Sequence, residues 1–246
     1  ALVDLLTAVD EPMVFPVHPR TRHKLEGAGL WDELAGHAPL RLVPPVGYLD
    51  FTSLLLTARG VPFIYYGEEI GMRHHPMRLA EGRDPVARRY GYVPDWIAHR
   101  LSSSGILLNR DECRRPMQWD DGRHGGFSNG DAEPWLSVHP ETSVRNVRAQ
   151  TGDPASILGV YRSLLGLRKG LPALRHGRLE LQPESALPRD VLGYRRMTSD
   201  AHETVDVLLN FGRRSRRVEL TEHEDRAVLR TGSGVTLESA HNVNVR

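Results

Sequence analysis

The chain has 246 residues with 32 basic and 31 acidic side chains, a net charge of +1 that leaves no strong field to draw nucleic acid or an anionic membrane. Lys24 and Lys169 are the only lysines, so a phosphate-loop or Schiff-base lysine has little room, and no G-x-x-x-x-G-K-[ST] run occurs. The single cysteine, Cys113, cannot form an internal disulfide, and no apolar run approaches the roughly 20 residues of a membrane span. A soluble, cytoplasmic chain is expected, with one large domain or two small ones and no metal or cofactor.

Residues 1–9 place Leu2, Leu5, Leu6 and Val9 at helical spacing. Residues 12–17 (PMVFPV) predict a short buried strand ending at His18, and residues 40–43 a second one closed by Pro44 and Pro45. Between them, residues 21–27 and 30–36 predict two short helices, broken at Gly27 and Gly29. Asp50 is placed to cap a helix through residues 51–56. This order is that of a parallel α/β layer. Residues 62–66 (PFIYY) are fit for a further buried strand, with Glu68 and Glu69 at its C-terminal edge. Residues 73–109 form a polar excursion with short helices at 85–90 and 94–100. His74 and His75 are adjacent, and no cysteine or carboxylate spacing completes a metal site there.

Residues 110–121 (RDECRRPMQWDD) concentrate the chemistry. Pro116 pushes Arg115 toward an extended backbone, which makes a regular helix unfavourable and an ordered loop the expectation. On composition the stretch reads first as a solvated, salt-bridged surface loop. Its second reading is a sugar-holding loop, since a sugar offers C–H faces to Trp119 and hydroxyls to forked donors. Cys113 among arginines reads as a small packed side chain rather than a reactive thiol.

Residues 121–150 are loop by composition. Asp153 with Pro154 marks a helix start. Ile157, Leu158, Tyr161, Leu164 and Leu165 give that helix one apolar stripe, and Arg168 and Lys169 before Gly170 suit its end. Residues 178–181, 191–197, 204–210, 215–220 and 227–230 then predict short strands of a small antiparallel domain.

The 110–121 stretch resembles the "R-D-x-x-R-T-P-M-Q-W-D" signature of the oligo-1,6-glucosidase and α-glucosidase branch of glycoside hydrolase family 13, within the alpha-amylase family. It departs at Arg115, where that signature has threonine. Residues 60–72 (GVPFIYYGEEIGM), 126–128 (GFS) and 133–136 (EPWL) fall in the same family order. The resemblance implies that residues 56–175 hold the last strand, loops and last helix of a (β/α)8 barrel and that 176–246 form a C-terminal β-domain. The family's closing strand is not evident over residues 235–245, so a truncated domain with an exposed edge is expected.

Residues 1–55 are similar instead to the C-terminal, Rossmann-like lobe of the non-hydrolysing UDP-N-acetylglucosamine 2-epimerases, through residues 13–22 (MVFPVHPRTR), Leu25, Glu26 and 42–51 (LVPPVGYLDF). His18 falls on the histidine of that family's "P-V-H" strand end, but its "T-D-S-G-G-x-Q-E-E" segment is absent. The chain therefore reads as a junction of two unrelated pieces near residues 51–60. The fold class expected is mixed α/β, a Rossmann-like fragment plus the end of a barrel, followed by an antiparallel all-β domain.

Among site residues, the glucosidase resemblance implies substrate contact for Arg114 and a supporting loop of Arg110, Asp111, Gln118 and Trp119. Arg114 is expected in a shallow polar cleft shared with Trp119, Asp111 and Gln118, held by Asp111 and Asp120. Glu68 and Glu69 are implied to be structural. Asp10 is a minor candidate, from a faint likeness of residues 9–12 (VDEP) to "N-H-D-x-P-R", and His18 a second one. The family's nucleophile and acid lie in "G-x-R-x-D" and "E-x-x" contexts not found before Gly60, so no catalytic residue is expected in this chain. The expected partner is an α-glucoside oligosaccharide, weakly bound, with self-association through barrel surface left uncovered. A carbohydrate-binding β-domain and an epimerase remnant stay open as alternatives.

Overall fold

A computed structural model describes residues 2–104, 106, 108–212, 214–219, 236–239 and 242–245. In chain order the elements are α1 (Leu2–Thr7), β1 (Met13–Pro16), α2 (Pro19–Gly27), α3 (Trp31–Ala35), β2 (Leu40–Val43), α4 (Tyr48–Thr57), α5 (Pro85–Arg89), α6 (Asp95–Ser103), α7 (Val147–Gln150), α8 (Ile157–Gly170) and α9 (Pro172–His176). The strands β3 (Arg178–Leu181), β4 (Val191–Met197), β5 (Thr204–Asn210), β6 (Arg216–Glu219), β7 (Thr236–Ser239) and β8 (Asn242–Val245) follow. The architecture is mixed α/β with antiparallel sheets, in two units: residues 1–62 with 160–246, and residues 63–159. No described helix is long and apolar enough to cross a membrane.

In the first unit, β1 and β2 pair in parallel, Met13 opposite Leu40 and Pro16 opposite Val43, with α2 and α3 as the crossover that parallel pairing requires. One apolar cluster joins Val3, Leu25, Leu34 and Leu40. A second joins Val43 and Leu54 to Leu179, Leu192, Tyr194 and Leu209 of the antiparallel β3–β4–β5 sheet. A separate sheet has the order β6–β8–β7. The helix α4 starts one turn earlier than expected, with Gly47 at its N-cap; Asp50 is an acid of its first turn, hydrogen-bonded back to Gly47. Two guanidiniums receive the carbonyls at the other end of α4. Arg168 donates to Leu56 O at 2.9 Å, to Ala58 O at 3.0 Å and to Gly60 O, and Arg196 donates to Thr57 O and to Gly177 O at 2.8 Å. Carbonyls orphaned at a helix end thus gain partners in the core. Burial, with Arg168 close by, brings the Arg196 pKa down to about 10.

The second unit is mostly loop and short 3-10 turns, among them Glu68–Ile70, Leu79–Glu81, Arg110–Cys113 and Arg123–Gly126. Its apolar clusters are small: Ile70, Met117 and Leu158 in one, Leu79, Ala87 and Ala98 in another. Buried polar residues fill much of the rest, including Asp84, Asn109, Asp111, Glu112, Arg115, Gln118, His139 and Asn146.

Two expectations are corrected. Residues 62–66 form no strand: Val61 is 78% exposed and Phe63 85%, because a strand becomes a buried strand only with neighbours on which to pair, and none pairs with it among the described residues. Where the resembled family's closing strand was not evident, Thr236–Ser239 and Asn242–Val245 form β7 and β8. The helix expected from Asp153 begins at Ile157, Asp153 holding only the preceding turn, and Leu165 of its apolar stripe is exposed. The strand expected at 227–230 lies outside the described residues.

Candidate functional site

The loop around Arg114 is assembled from the inside outward. Asn109 Oδ1 accepts the Asp111 N–H at 3.0 Å and starts the Arg110–Cys113 turn, which points Asp111 inward. Asp111 is fully buried, and its Oδ2 accepts the N–H groups of Arg83 at 2.6 Å and Asp84 at 2.8 Å. That fixes Asp84, the N-cap of α5, whose Oδ1 accepts the Val86 N–H at 2.8 Å with Pro85 at the first helical position. Two guanidiniums close on Asp84: Arg110 Nε at 2.7 Å and Arg114 Nη1 at 3.3 Å, both to Oδ2. Arg114 Nη1 also stands 3.7 Å from Asp111 Oδ1. The Arg110 hydrogen bond foremost, together with the charges of Arg110 and Arg114, holds the Asp84 carboxyl below its usual range.

Beyond Pro116, Met117 enters the core, and Gln118 is fully buried, its Nε2 donating to Arg145 O at 2.6 Å. Trp119 and Asp120 then donate their N–H groups to Gly125 O at 2.8 and 3.0 Å. Gly125 and Gly126 make that close turn possible, both at positive φ; a Cβ on Gly126 would sit 2.7 Å from the Asp120 carboxylate. The turn leaves Trp119 half exposed, facing outward.

Arg114 and Trp119 line an open groove of about 490 Å³. Its other walls are aromatic: Tyr65 and Tyr66, with ring centroids 4.8 Å apart, and Phe127 and Trp135. Tyr65 Oη donates to Cys113 O and Tyr66 Oη to Arg115 O, both at 3.1 Å, so the loop and the aromatic pair hold each other. Partial burial and its neighbour Tyr65 push the Tyr66 pKa up to about 12. Among the described residues Glu69 is the one carboxylate lining the groove, and its Oε2 already accepts the Gly67 N–H at 2.7 Å. Aromatic faces beside a forked cation that a buried acid holds in place suit a ring carrying hydroxyls.

Arg114 and Trp119 line one groove, which is aromatic rather than the polar cleft expected. Asp111 and Gln118 stand behind it, fully buried, and Arg110 lies on Asp84. Asp120 does not hold Arg114; it takes Arg148 Nη2 at 2.8 Å. His18 is an exposed helix cap, its Nδ1 accepting the Arg20 N–H at 3.2 Å, and Asp10 is exposed; both belong to the other unit. Glu68 Oε2 accepts the Tyr65 N–H at 3.1 Å, so the Glu68–Glu69 pair binds its own turn. Sequence reasoning missed Asp84, although an aspartate directly before a proline-led helix is a cap signal. Among the described residues no cluster of three metal-ligating side chains occurs.

The sequence profile of the alpha amylase catalytic domain matches residues 49–177. The probable oligo-1,6-glucosidase 2 of Bacillus subtilis (strain 168) is 34% identical over 178 residues, covering 64% of this chain and 30% of that protein. The oligo-1,6-glucosidase of Parageobacillus thermoglucosidasius is 31% identical over 220 residues, covering 81% of this chain and 37% of that one. Among solved structures, the trehalulose synthase MutB from Pseudomonas mesoacidophila MX-45 superposes with a TM-score of 0.57 at 29% identity, over 80% of this chain and 37% of its own. The chain thus spans about a third of the length of these relatives.

Proposed function

Because the chain belongs to the alpha-amylase catalytic-domain family, matched over residues 49–177, we propose that its groove holds one sugar unit of an α-glucosidic oligosaccharide. In this reading the chain is the sugar-contacting part of an α-glucosidase-like hydrolase. The observation that carries it is the grip of buried Asp84 and Asp111 on Arg114 at the edge of an aromatic groove. An exposed ion pair would need no such support. Arg114 forks onto sugar hydroxyls and Trp119 packs on the ring, while Arg110, Asp111 and Gln118 keep the loop in place.

Taken by itself, the 246-residue chain binds without turnover. Hydrolysis needs two carboxyl groups flanking the bond, and among the described residues the groove presents Glu69 alone. Residues 56–175 are read as the end of a barrel and 176–246 as a β-domain, with uncovered surface around Phe63 favouring self-association. Residues 1–55 are read as an epimerase-like Rossmann fragment, supported by the parallel β1–β2 pair and by a family match that starts only at residue 49.

Titrating maltose and isomaltose against the parent chain and Arg114→Ala tests the site. A dissociation constant on the order of millimolar is expected, because the groove is open and encloses only part of a ring. Loss in the variant is the expected result; identical curves, or no binding in either, overturn the reading. An aryl α-glucoside should not be cleaved, and a rate abolished by one carboxylate substitution would refute that. UDP binding lost in His18→Ala would favour the epimerase reading of residues 1–55 as a working site.

A further inference from the structure

The groove departs from the resembled signature at one residue, Arg115, which stands where that signature has threonine. Arg115 is 5% exposed, yet it lines the groove. Its Nη1 donates to Ser137 O at 3.0 Å and to Ser137 Oγ at 2.8 Å, and its Nη2 reaches the carbonyls of Pro76 at 3.4 Å and His75 at 3.5 Å. One guanidinium therefore ties its own loop to two other segments. Ser137 follows by two residues the groove wall Trp135, which is itself half exposed and makes no strong anchor. A threonine hydroxyl, close to its own backbone, lacks the length and the several donors for these contacts.

We propose that Arg115 is a positioning residue that fixes Trp135 against the Arg114–Trp119 side and so sets the width of the groove. The proposal rests on the sugar-binding reading above for its purpose, though not for its geometry. Leu136, between Trp135 and Ser137, is buried and holds the same stretch by apolar contact. Apolar burial is non-directional, whereas two hydrogen bonds to one residue fix orientation. Arg115 supplies that directional part. Burial draws its pKa down against the opposing charges of Glu112 and Glu81, and the carbonyls and hydroxyl it meets give the buried guanidinium its hydrogen-bond partners. The groove's shape thus depends on a side chain that does not itself have to touch the ligand.

The test uses the full chain labelled with 5-fluorotryptophan. Its four tryptophans, Trp31, Trp96, Trp119 and Trp135, give four fluorine resonances assignable by single Trp→Phe replacements. In Arg115→Thr the Trp135 resonance is expected to move and broaden while those of Trp31 and Trp96 stay. Arg115→Lys should restore it in part, and maltose affinity in Arg115→Thr should fall about tenfold, the loss of one strong contact. Ser137→Ala, which removes one of the two bonds, should move the same resonance less and serves if Arg115→Thr does not fold. An unmoved Trp135 resonance in either folded variant, with only a lowered melting temperature, overturns the proposal. Absence of maltose binding in the parent would refute the sugar reading, while the Trp135 resonance would still decide the role of Arg115.

Discussion

The unit of residues 1–62 and 160–246 is held mainly by side chains that avoid water, the unit of residues 63–159 mainly by side chains that need a partner. In the first, Leu54, Leu179, Leu192 and Leu209 meet across helix and sheet, and the buried guanidiniums of Arg168 and Arg196 finish helix ends. In the second, Asp111 grips the backbone of Arg83 and Asp84, Asp84 grips Arg110 and Arg114, and Gln118 grips Arg145. Apolar contact tolerates changes of chemistry at constant volume, whereas a polar clamp tolerates changes of volume poorly and changes of charge not at all. A binding loop gains from the second kind of construction, because its functional cation is held in direction as well as in place.

The largest effect expected is in the apolar unit. Leu192→Ala should cost about 2–5 kcal/mol in urea unfolding, whereas Leu192→Met, similar in volume, should cost less than about 1.5 kcal/mol. If both variants lose the same amount, the cluster around Leu192 is not packed as described. Next comes Asp111→Ala, which orphans one buried backbone donor, Asp84 N–H, at a cost of about 1–3 kcal/mol, and frees the partly buried Arg83 N–H to water. Here the near-isosteric Asp111→Asn should also be harmful, since its amide would face Arg114 or the two N–H groups. Faster amide exchange over residues 83–90 would locate the damage, and a neutral Asp111→Asn would break the contrast between the units.

The smallest effect is a change of slope with pH. His139 is buried, with its Nδ1 accepting the Glu141 N–H at 3.0 Å. Burial first, then the charges of His75, Arg115 and Arg145 against the opposing Glu141, hold its pKa below 6.5. As pH falls the unfolded chain takes this proton before the folded one, so stability drops from the ordinary histidine value downward. Asp84, also depressed, adds a further loss as pH falls below 3.8 toward its folded value. His139→Asn keeps a cap acceptor and removes the titration. Its melting temperature should fall less than the parent's between about pH 7 and pH 5; parallel slopes would exclude His139 as the cause.

The same contrast explains what could be read from the sequence. The strands β2, β3, β4 and β5 were legible to the residue, because their period and flanking turn residues are local signals. Residues 62–66 carry the composition of a buried strand, but burial is supplied by neighbours and does not reside in the segment itself. Arg114 and Trp119 were legible through a motif, and Phe127 and Trp135 sat in flanking blocks without an assigned place. Asp84 was not, because its partners lie 26 and 30 residues away and nothing in its own surroundings names them. Asp120 was chosen for being near in sequence, and it serves Arg148 instead. A polar clamp is a long-range fact with a weak local signature.

The interruption of the first unit by residues 63–159 bears on how the chain comes off the ribosome. Val43 and Leu54 are made more than a hundred residues before Leu179, Leu192, Tyr194 and Leu209, which pack on them. At ordinary elongation rates the wait is on the order of ten seconds, far longer than collapse takes. During that interval the apolar side of α4 lacks the cover that β3, β4 and β5 supply, which leaves that face to a chaperone or to non-native contacts. Slowing synthesis would lengthen that interval, so the discontinuous unit, rather than the loop of residues 110–121, is where growth conditions would most affect yield.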